Sequence, residues 1–274
     1  MKKLIFLLVV ILVAVAGCKD KKTADYTWLG DSSPYNILQD KLKGKVASVT
    51  EKAYWAVPEG DKFIKGAKMH RKELDSLAAT YDFTAVYDAD GYMLSCVTTD
   101  ENDKTVGRWD MTKTGNEAGR EEYRSGDTLR RYVNVRYNDK GRAILYEVFN
   151  AMADTLIQKI EFAGRDHNDT TIIRYLNPRG EVTIKGIEIT NDMGLTVSAE
   201  EYGPDGSYRG GVQMKYNDKG FLSELNSLDT AKNIAETYFI TYEYDDHGNW
   251  VTGIWTSSRD STAIFSERVY TYFE

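Results

Sequence analysis

The chain of 274 residues carries 42% hydrophobic and 28% charged residues, a balance that supports a packed core and excludes disorder along the whole length. Its net charge of −7 disfavours phosphate backbones, so no nucleic-acid partner is expected. His70, His167 and His247 stand far apart, which argues against zinc chemistry or a histidine-based triad, and no cofactor is expected.

Met1-Lys2-Lys3 followed by an apolar run from Leu4 to Ala16 has the shape of a secretory signal, residues 1–17. The run makes roughly 20 Å of helix, too short for a hydrocarbon core of about 30 Å. It closes on Val15-Ala16-Gly17-Cys18, which resembles the bacterial lipobox. That resemblance implies a diacylated Cys18 bearing palmitate-like chains, cleavage just before it and acylation of the new amino terminus, leaving 257 residues and a charge of −9 once Lys2 and Lys3 are gone. The partner is then a lipid membrane held through acylated Cys18, each buried CH₂ contributing about 0.8 kcal/mol. Lys19, in place of an aspartate after the cysteine, implies the outer membrane by analogy with lipoprotein sorting in Gram-negative bacteria. Cys96 is left without a cysteine partner and reads as a small buried hydrophobe inside a strand from Tyr92 to Val97.

Residues 18–33 are polar and charged and read as a flexible tether. The remaining chain, 34–274, is expected to be one repeat domain. It begins with Ser33-Pro34, an N-cap residue before a proline, followed by Tyr35, Leu38 and Leu42 at helical spacing and Gly44 at a C′ position; this predicts a short helix. From Lys45 to Val57 the pattern alternates, Ala47, Val49, Ala53, Trp55 and Val57 facing one way, with Glu51 the lone charge on that side. That is a strand, ended by Pro58-Glu59-Gly60-Asp61. Met69 to Ala79, with Leu74, Leu77 and Ala78, predicts a second short helix.

The chain holds 19 tyrosines and 22 glycines, and from Tyr81 onward these residues fall into a rhythm. Tyrosine precedes a polar turn closed by Gly91, Gly141, Gly180, Gly206, Gly220 or Gly248, as in Tyr216-Asn217-Asp218-Lys219-Gly220, and Asn191-Asp192-Met193-Gly194 adds a turn without the tyrosine. Asn or Asp accepts a backbone hydrogen bond at the start of a type I turn, and glycine takes the left-handed position that closes it. A unit of about nine strand and four turn residues predicts an all-β fold, an antiparallel meander of a dozen or more strands built from hairpins with a bulge at each glycine. No helix-length pattern interrupts the strands, which excludes a parallel sheet. Between turns the residues alternate: Tyr238, Ile240, Tyr242 and Tyr244 share one face, Thr241 and Glu243 the other.

Tyr244-Asp245-Asp246-His247-Gly248-Asn249-Trp250 and Tyr87-Asp88-Ala89-Asp90-Gly91 resemble the YD (Rhs-type) repeats of bacterial surface and secreted proteins. The resemblance implies a hairpin array at the cell surface. The unit is longer here than the family's usual repeat and the array too short for a closed toxin-enclosing shell, so encapsulation is not implied.

No convergent catalytic set emerges. Gly30-Asp31-Ser32-Ser33 lacks the late Asp-x-x-His of the esterases that use such a block, and Asp88-Ala89-Asp90-Gly91 lacks the remaining oxygens of a calcium loop. Paired acids such as Glu200-Glu201 point to opposite faces of a strand. The positive hint is aromatic: Tyr242, Tyr244, Trp250 and Trp255 are candidates for a binding surface, the two tryptophans lying on opposite faces unless a bulge near Gly253 intervenes. A non-catalytic, membrane-tethered binding or structural module of the envelope is therefore expected, its ligand a glycan or an envelope protein. The alternatives are an envelope glycan hydrolase, with carboxylates from separate strands, and a transmembrane barrel, which the charges on both faces of Arg130–Arg136 disfavour.

Overall fold

The computed structural model describes residues 26–29, 40–70, 82–114, 118–139, 143–164, 169–259 and 263–274. The leader, Cys18, Gly141 and most of both expected helices lie outside these residues. Where the first helix was expected to end, Asp40–Lys43 is instead a strand, β2, pairing antiparallel with β1, Tyr26–Leu29, inside the expected tether. The reason is tertiary: Leu42 is fully buried, and Lys43 is bound through its backbone to Asn249. Such contacts override a short run of helical spacing.

Every other described element is also a strand: β3 (Val46–Glu59), β4 (Lys62–Lys68), β5 (Asp82–Tyr87), β6 (Met93–Thr99), β7 (Thr105–Thr114), β8 (Ala118–Ser125), β9 (Thr128–Tyr137), β10 (Ala143–Asn150), β11 (Thr155–Ala163), β12 (Thr170–Leu176), β13 (Val182–Thr190), β14 (Thr196–Tyr202), β15 (Tyr208–Tyr216), β16 (Leu222–Leu228), β17 (Ile234–Tyr244), β18 (Trp250–Ser257) and β19 (Ala263–Tyr272). The meander is closed into a barrel. β5 to β19 follow one another as antiparallel neighbours, and β19 returns to β3 through Tyr272↔Val46 to Ile264↔Trp55. The first part of β3 pairs with β5, Ser48↔Val86 to Glu51↔Phe83, and its last part with β4, Tyr54↔Lys68 to Glu59↔Lys62. Where β3 changes partner, Asp82 accepts the Ala53 N–H at 2.9 Å and meets Lys68 at 3.0 Å. Asp103 joins Lys68 and Lys52 at 2.8 and 2.9 Å.

Period-two alternation gives the sheet two unlike faces. Register places Val49, Ala85, Cys96, Trp109 and Tyr123 in one row, and Val135, Tyr146, Ile160, Tyr175 and Ile184 in another. Apart from the half-buried Tyr123 and Ile184, these residues are buried. The opposite face carries ion pairs: Arg108–Asp110, Arg120–Glu122–Arg124, Lys159–Glu147 and Lys215–Glu224, all at 2.7 to 3.0 Å. From β2, which is not part of the barrel sheet, Leu42 packs onto the buried face beside Val46 and Val49, and curvature accounts for the contrast elsewhere: side chains converge inside a closed sheet and diverge outside. The buried face is the inner wall.

The turns follow one mechanism. In the β15–β16 turn, Asn217 Oδ1 accepts the N–H groups of Lys219 and Phe221 at 3.0 and 3.1 Å, and Gly220, at φ +85°, donates to the Asn217 carbonyl. Asp88, Asn177, Asn191 and Asp245 accept the same pair of amides in their own turns. Asp100 and Asp229 do so in turns where Asp103 and Lys232 take the left-handed place at φ +60° and +64°.

Candidate functional site

On the inner wall, the lone charge of β3 acquires a reason. Glu51 meets the guanidinium of Arg268 at 2.8 Å, both buried, and that guanidinium lies 3.7 Å from the Trp250 ring centroid. Trp250 is 4% exposed and also packs on Tyr242, whose hydroxyl donates to the Leu222 carbonyl at 2.7 Å. Tyr244 contacts Tyr242 and Phe221, and Trp255 is half-buried against the cluster around Ile240. The four aromatic residues singled out in the sequence thus share the inner face. Trp250 and Trp255 do so because the β17–β18 register shifts between Glu243 and Tyr244, whereas Gly253 pairs with Tyr242 in regular register.

The two ends of the barrel differ. At one end stand the β5–β6, β13–β14, β15–β16 and β17–β18 turns, the start of β3 and the end of β19. The register shifts beside the turns at both ends, but here the residues that follow are buried: Leu195, Phe221 and Asn249 fully, and Met93, Thr196, Leu222 and Trp250 to within 4%. Asn249 grips the N-terminal segment: its Oδ1 accepts the Lys43 N–H at 2.7 Å, and its Nδ2 donates to the Lys43 carbonyl at 2.8 Å and to Tyr272 Oη at 3.0 Å. Tyr272 donates to Asp245 Oδ2 at 2.6 Å; burial first, then that bond, pushes its hydroxyl up to about 12. Asn217 Nδ2 binds Tyr244 Oη in the same way one hairpin earlier. We refer to this end as the closed rim.

At the opposite end the residues after the turns stay in solvent: Lys104 and Thr105, Glu181 and Val182, Asn233 and Ile234. Gly180 and Gly206 sit in turns of this open rim at φ +83° and +81°, while Gly91, Gly220 and Gly248 belong to the closed one. Exposed apolar side chains occur at both ends: Val57 and Ile64 on the β3–β4 hairpin, Met152, Val182 and Ile234 here, and Met193, Val269 and Phe273 at or near the closed rim.

The open rim also holds a groove of about 290 Å³ on the outer wall, between the β12–β13 hairpin and the β14–β15 turn. Ile172, Val182 and Pro204 supply apolar surface, Gly203 and Gly206 the backbone of one wall, and Arg174 and Lys185 two cations. Gly203 keeps that wall thin, since a Cβ there would meet Asp205 Oδ1 at 2.6 Å and Ser207 Oγ at 2.8 Å. Arg174 and Lys185 are directly opposite each other across the β12–β13 ladder. Like charges so placed are destabilising. Arg174 has Glu161 at 3.9 Å, but among the described residues Lys185 has no ion-pair partner.

Beside the groove, Lys185 is opposite Tyr202, which meets Tyr208 edge-on with ring centroids 5.5 Å apart. Lys232 lies over Tyr208 at 4.5 Å and binds Glu200 at 3.0 Å, and Tyr202 donates to the same carboxylate. Burial works to raise Glu200, but the Tyr202 hydroxyl and Lys232 outweigh it and hold the carboxyl below its ordinary range. The Tyr208 hydroxyl is buried with no hydrogen-bond partner among the described residues. Arg174, Lys185 and Tyr208 carry no sequence signal of their own: mirroring the hairpin about Asn177–Gly180 sets Arg174 opposite Thr183, and it is the register shift between Tyr175 and Leu176 that brings Lys185 opposite it.

Cys96 is 8% exposed, and burial pushes its thiol up to about 12, far from the thiolate that redox or nucleophilic chemistry uses. Among the described residues no group of three or more His, Cys, Asp or Glu is placed to hold a metal ion. No helix among them is long and apolar enough to cross a membrane.

No protein-family model matches the chain, and no curated protein matches it either. Solved structures with similar chain paths include a porin-like protein of Bacteroides vulgatus, 10% identical, covering 83% of this chain and 98% of its own with a TM-score of 0.46. A porin-like protein of Bacteroides uniformis is 10% identical over 82% and 98% of the two chains, with a TM-score of 0.32. A LolA superfamily protein of Nitrosomonas europaea is 8% identical over 82% and 83%, with a TM-score of 0.26. Likeness at this level carries nothing about function.

Proposed function

We propose that the protein is a non-catalytic binding module of the cell envelope, tethered to the outer membrane through acylated Cys18, with its binding surface at the open rim. The observation that carries this reading is the polarity of the barrel. The chain leading back to Cys18 leaves from β1, whose Tyr26 pairs with Lys43, the residue that Asn249 holds at the closed rim, and the groove lies at the other end. A lipid anchor on that segment turns the open rim away from the membrane. The ion pairs along the outer wall support attachment by a lipid rather than by the barrel, because each charge facing lipid near the midplane costs about 2 to 4 kcal/mol. The ligand class is a glycan or an envelope protein.

The tether is tested by growing cells with labelled palmitate and separating membrane from soluble fractions. Label on the wild-type protein, and loss of both label and membrane attachment in Cys18→Ser, are the expected results. An unlabelled wild-type protein, or a Cys18→Ser variant that stays in the membrane without label, would overturn it.

A further inference from the structure

We infer that the open-rim groove is a subsite for one anionic sugar residue, a sugar bearing a carboxylate or a phosphate; this rests on the reading of the open rim as the binding end. Three observations converge. The first is size: about 290 Å³ falls just below the range of drug-sized ligand sites, about 300 to 1,000 Å³, and suits a single ring rather than a lipid chain or a peptide segment. The second is composition. Ile172, Val182 and Pro204 offer an apolar floor to the C–H face of a pyranose, and Arg174 and Lys185 stand at the same groove for its charged substituent. The third is that these cations are opposed across the ladder. An anion between them removes a repulsion that the free protein carries, so binding gains from both the new contacts and the relieved pair.

Of the nearby carboxylates, Glu161 lies 3.9 Å from Arg174, and three others have hydrogen-bond partners outside the groove's two cations. Asp205 is held by the Ser207 hydroxyl and amide at 2.6 and 3.1 Å, Glu181 by Asn177 at 2.7 Å, and Glu200 by Lys232 and Tyr202. Tyr202 and Tyr208 extend the surface on the Lys185 side, placing aromatic edges where a neighbouring sugar unit would lie.

The test uses the full-length protein in neutral detergent, titrated with glucuronate, glucose 6-phosphate, glucose and inorganic phosphate, with ligand-observed NMR and calorimetry as readouts. Binding of glucuronate or glucose 6-phosphate is expected, the tighter of the two naming the anionic group, with glucose and phosphate each at least ten-fold weaker. Arg174→Gln and Lys185→Gln should each weaken the anionic sugar about ten-fold, and Val182→Ser should weaken the sugar without changing phosphate. Lys215→Gln, an outer-wall cation paired with Glu224 away from the groove, should leave affinity unchanged, and melting curves verify folding. No binding of either anionic sugar, phosphate binding as tightly as the sugars, or affinity indifferent to both cation variants would each overturn the proposal. Cys18→Ser should bind with the same affinity as wild type, so loss of the tether and loss of the subsite are read separately.

Discussion

The two rims of the barrel are built from the same turn and come to opposite ends. At Asn217 and at Asn177 the side-chain oxygen accepts the same two amides and the closing glycine has nearly the same φ, +85° and +83°. What differs is the pair of residues that follows: Phe221-Leu222 at the closed rim, Glu181-Val182 at the open one. The first pair is buried and the second exposed. Turn chemistry therefore makes the hairpin, and the two residues after the glycine decide whether that end of the barrel is sealed or left available to a ligand.

Substitutions separate these roles. The largest effect is expected on the inner wall near the closed rim, where Glu51→Gln strands the buried Arg268 and should cost about 3 to 5 kcal/mol of unfolding free energy. Replacing both partners by methionine should recover most of it, which denaturant titration would show. Phe221→Ala, at a fully buried site, should cost about 3 to 5 kcal/mol, whereas Ile234→Ala at the open rim should stay within about 0.5 kcal/mol. Equal losses from these two would erase the distinction between the rims. Asn249→Ala should cost about 1 to 3 kcal/mol and release the N-terminal segment, read as faster proteolysis near Lys43. Gly180→Ala and Gly220→Ala should cost the same, about 1 to 2 kcal/mol, because both sit at positive φ with no neighbour close to a new Cβ on either side of the comparison.

The smallest effect is one of pH at the junction of β3, β4 and β5. Lys68, and then Lys52, hold the Asp103 carboxyl down at about 2 against its ordinary 3.8. A carboxylate lowered on folding stabilises the native state above its unfolded value, and that contribution disappears as pH falls through the folded one. The junction should therefore hold above pH of about 4 and loosen between about 4 and 2. Asp103→Asn should flatten this part of the acid-unfolding curve.

Much of the architecture was legible in the sequence. The Asx-to-glycine turns, the alternation of Tyr238 to Tyr244 and the strand through Val49 and Ala53 depend on local chemistry, and each is observed. Closure of the sheet was not, because it rests on Val46 to Trp55 meeting Tyr272 to Ile264, a pairing between chain ends that no local pattern encodes. The first helix was misread at its end because Leu38 and Leu42 have helical spacing, while the burial of Leu42 and the grip of Asn249 on Lys43 are set by a turn some two hundred residues away. Glu51 looked like an interruption of an apolar face, and its partner Arg268 could be named only once register was known. Of the aromatic candidates for a stacking surface, Trp250 is buried against Tyr242, while Tyr242, Tyr244 and Trp255 stay half-buried on the inner face; the groove lies on the polar side of the strands, where residue type alone does not separate a ligand contact from a solvated surface.

Hydrogen–deuterium exchange with mass spectrometry on the full-length protein in detergent tests the contrast between the rims most directly. Peptides spanning Gly194–Thr196, Gly220–Leu222 and Gly248–Trp250 should be protected to near the global unfolding limit, and those spanning Asn177–Val182, Gly203–Tyr208 and Asp229–Ile234 should exchange orders of magnitude faster. Comparable protection at the two ends, or faster exchange at Phe221 and Asn249 than at Val182 and Ile234, would contradict the account.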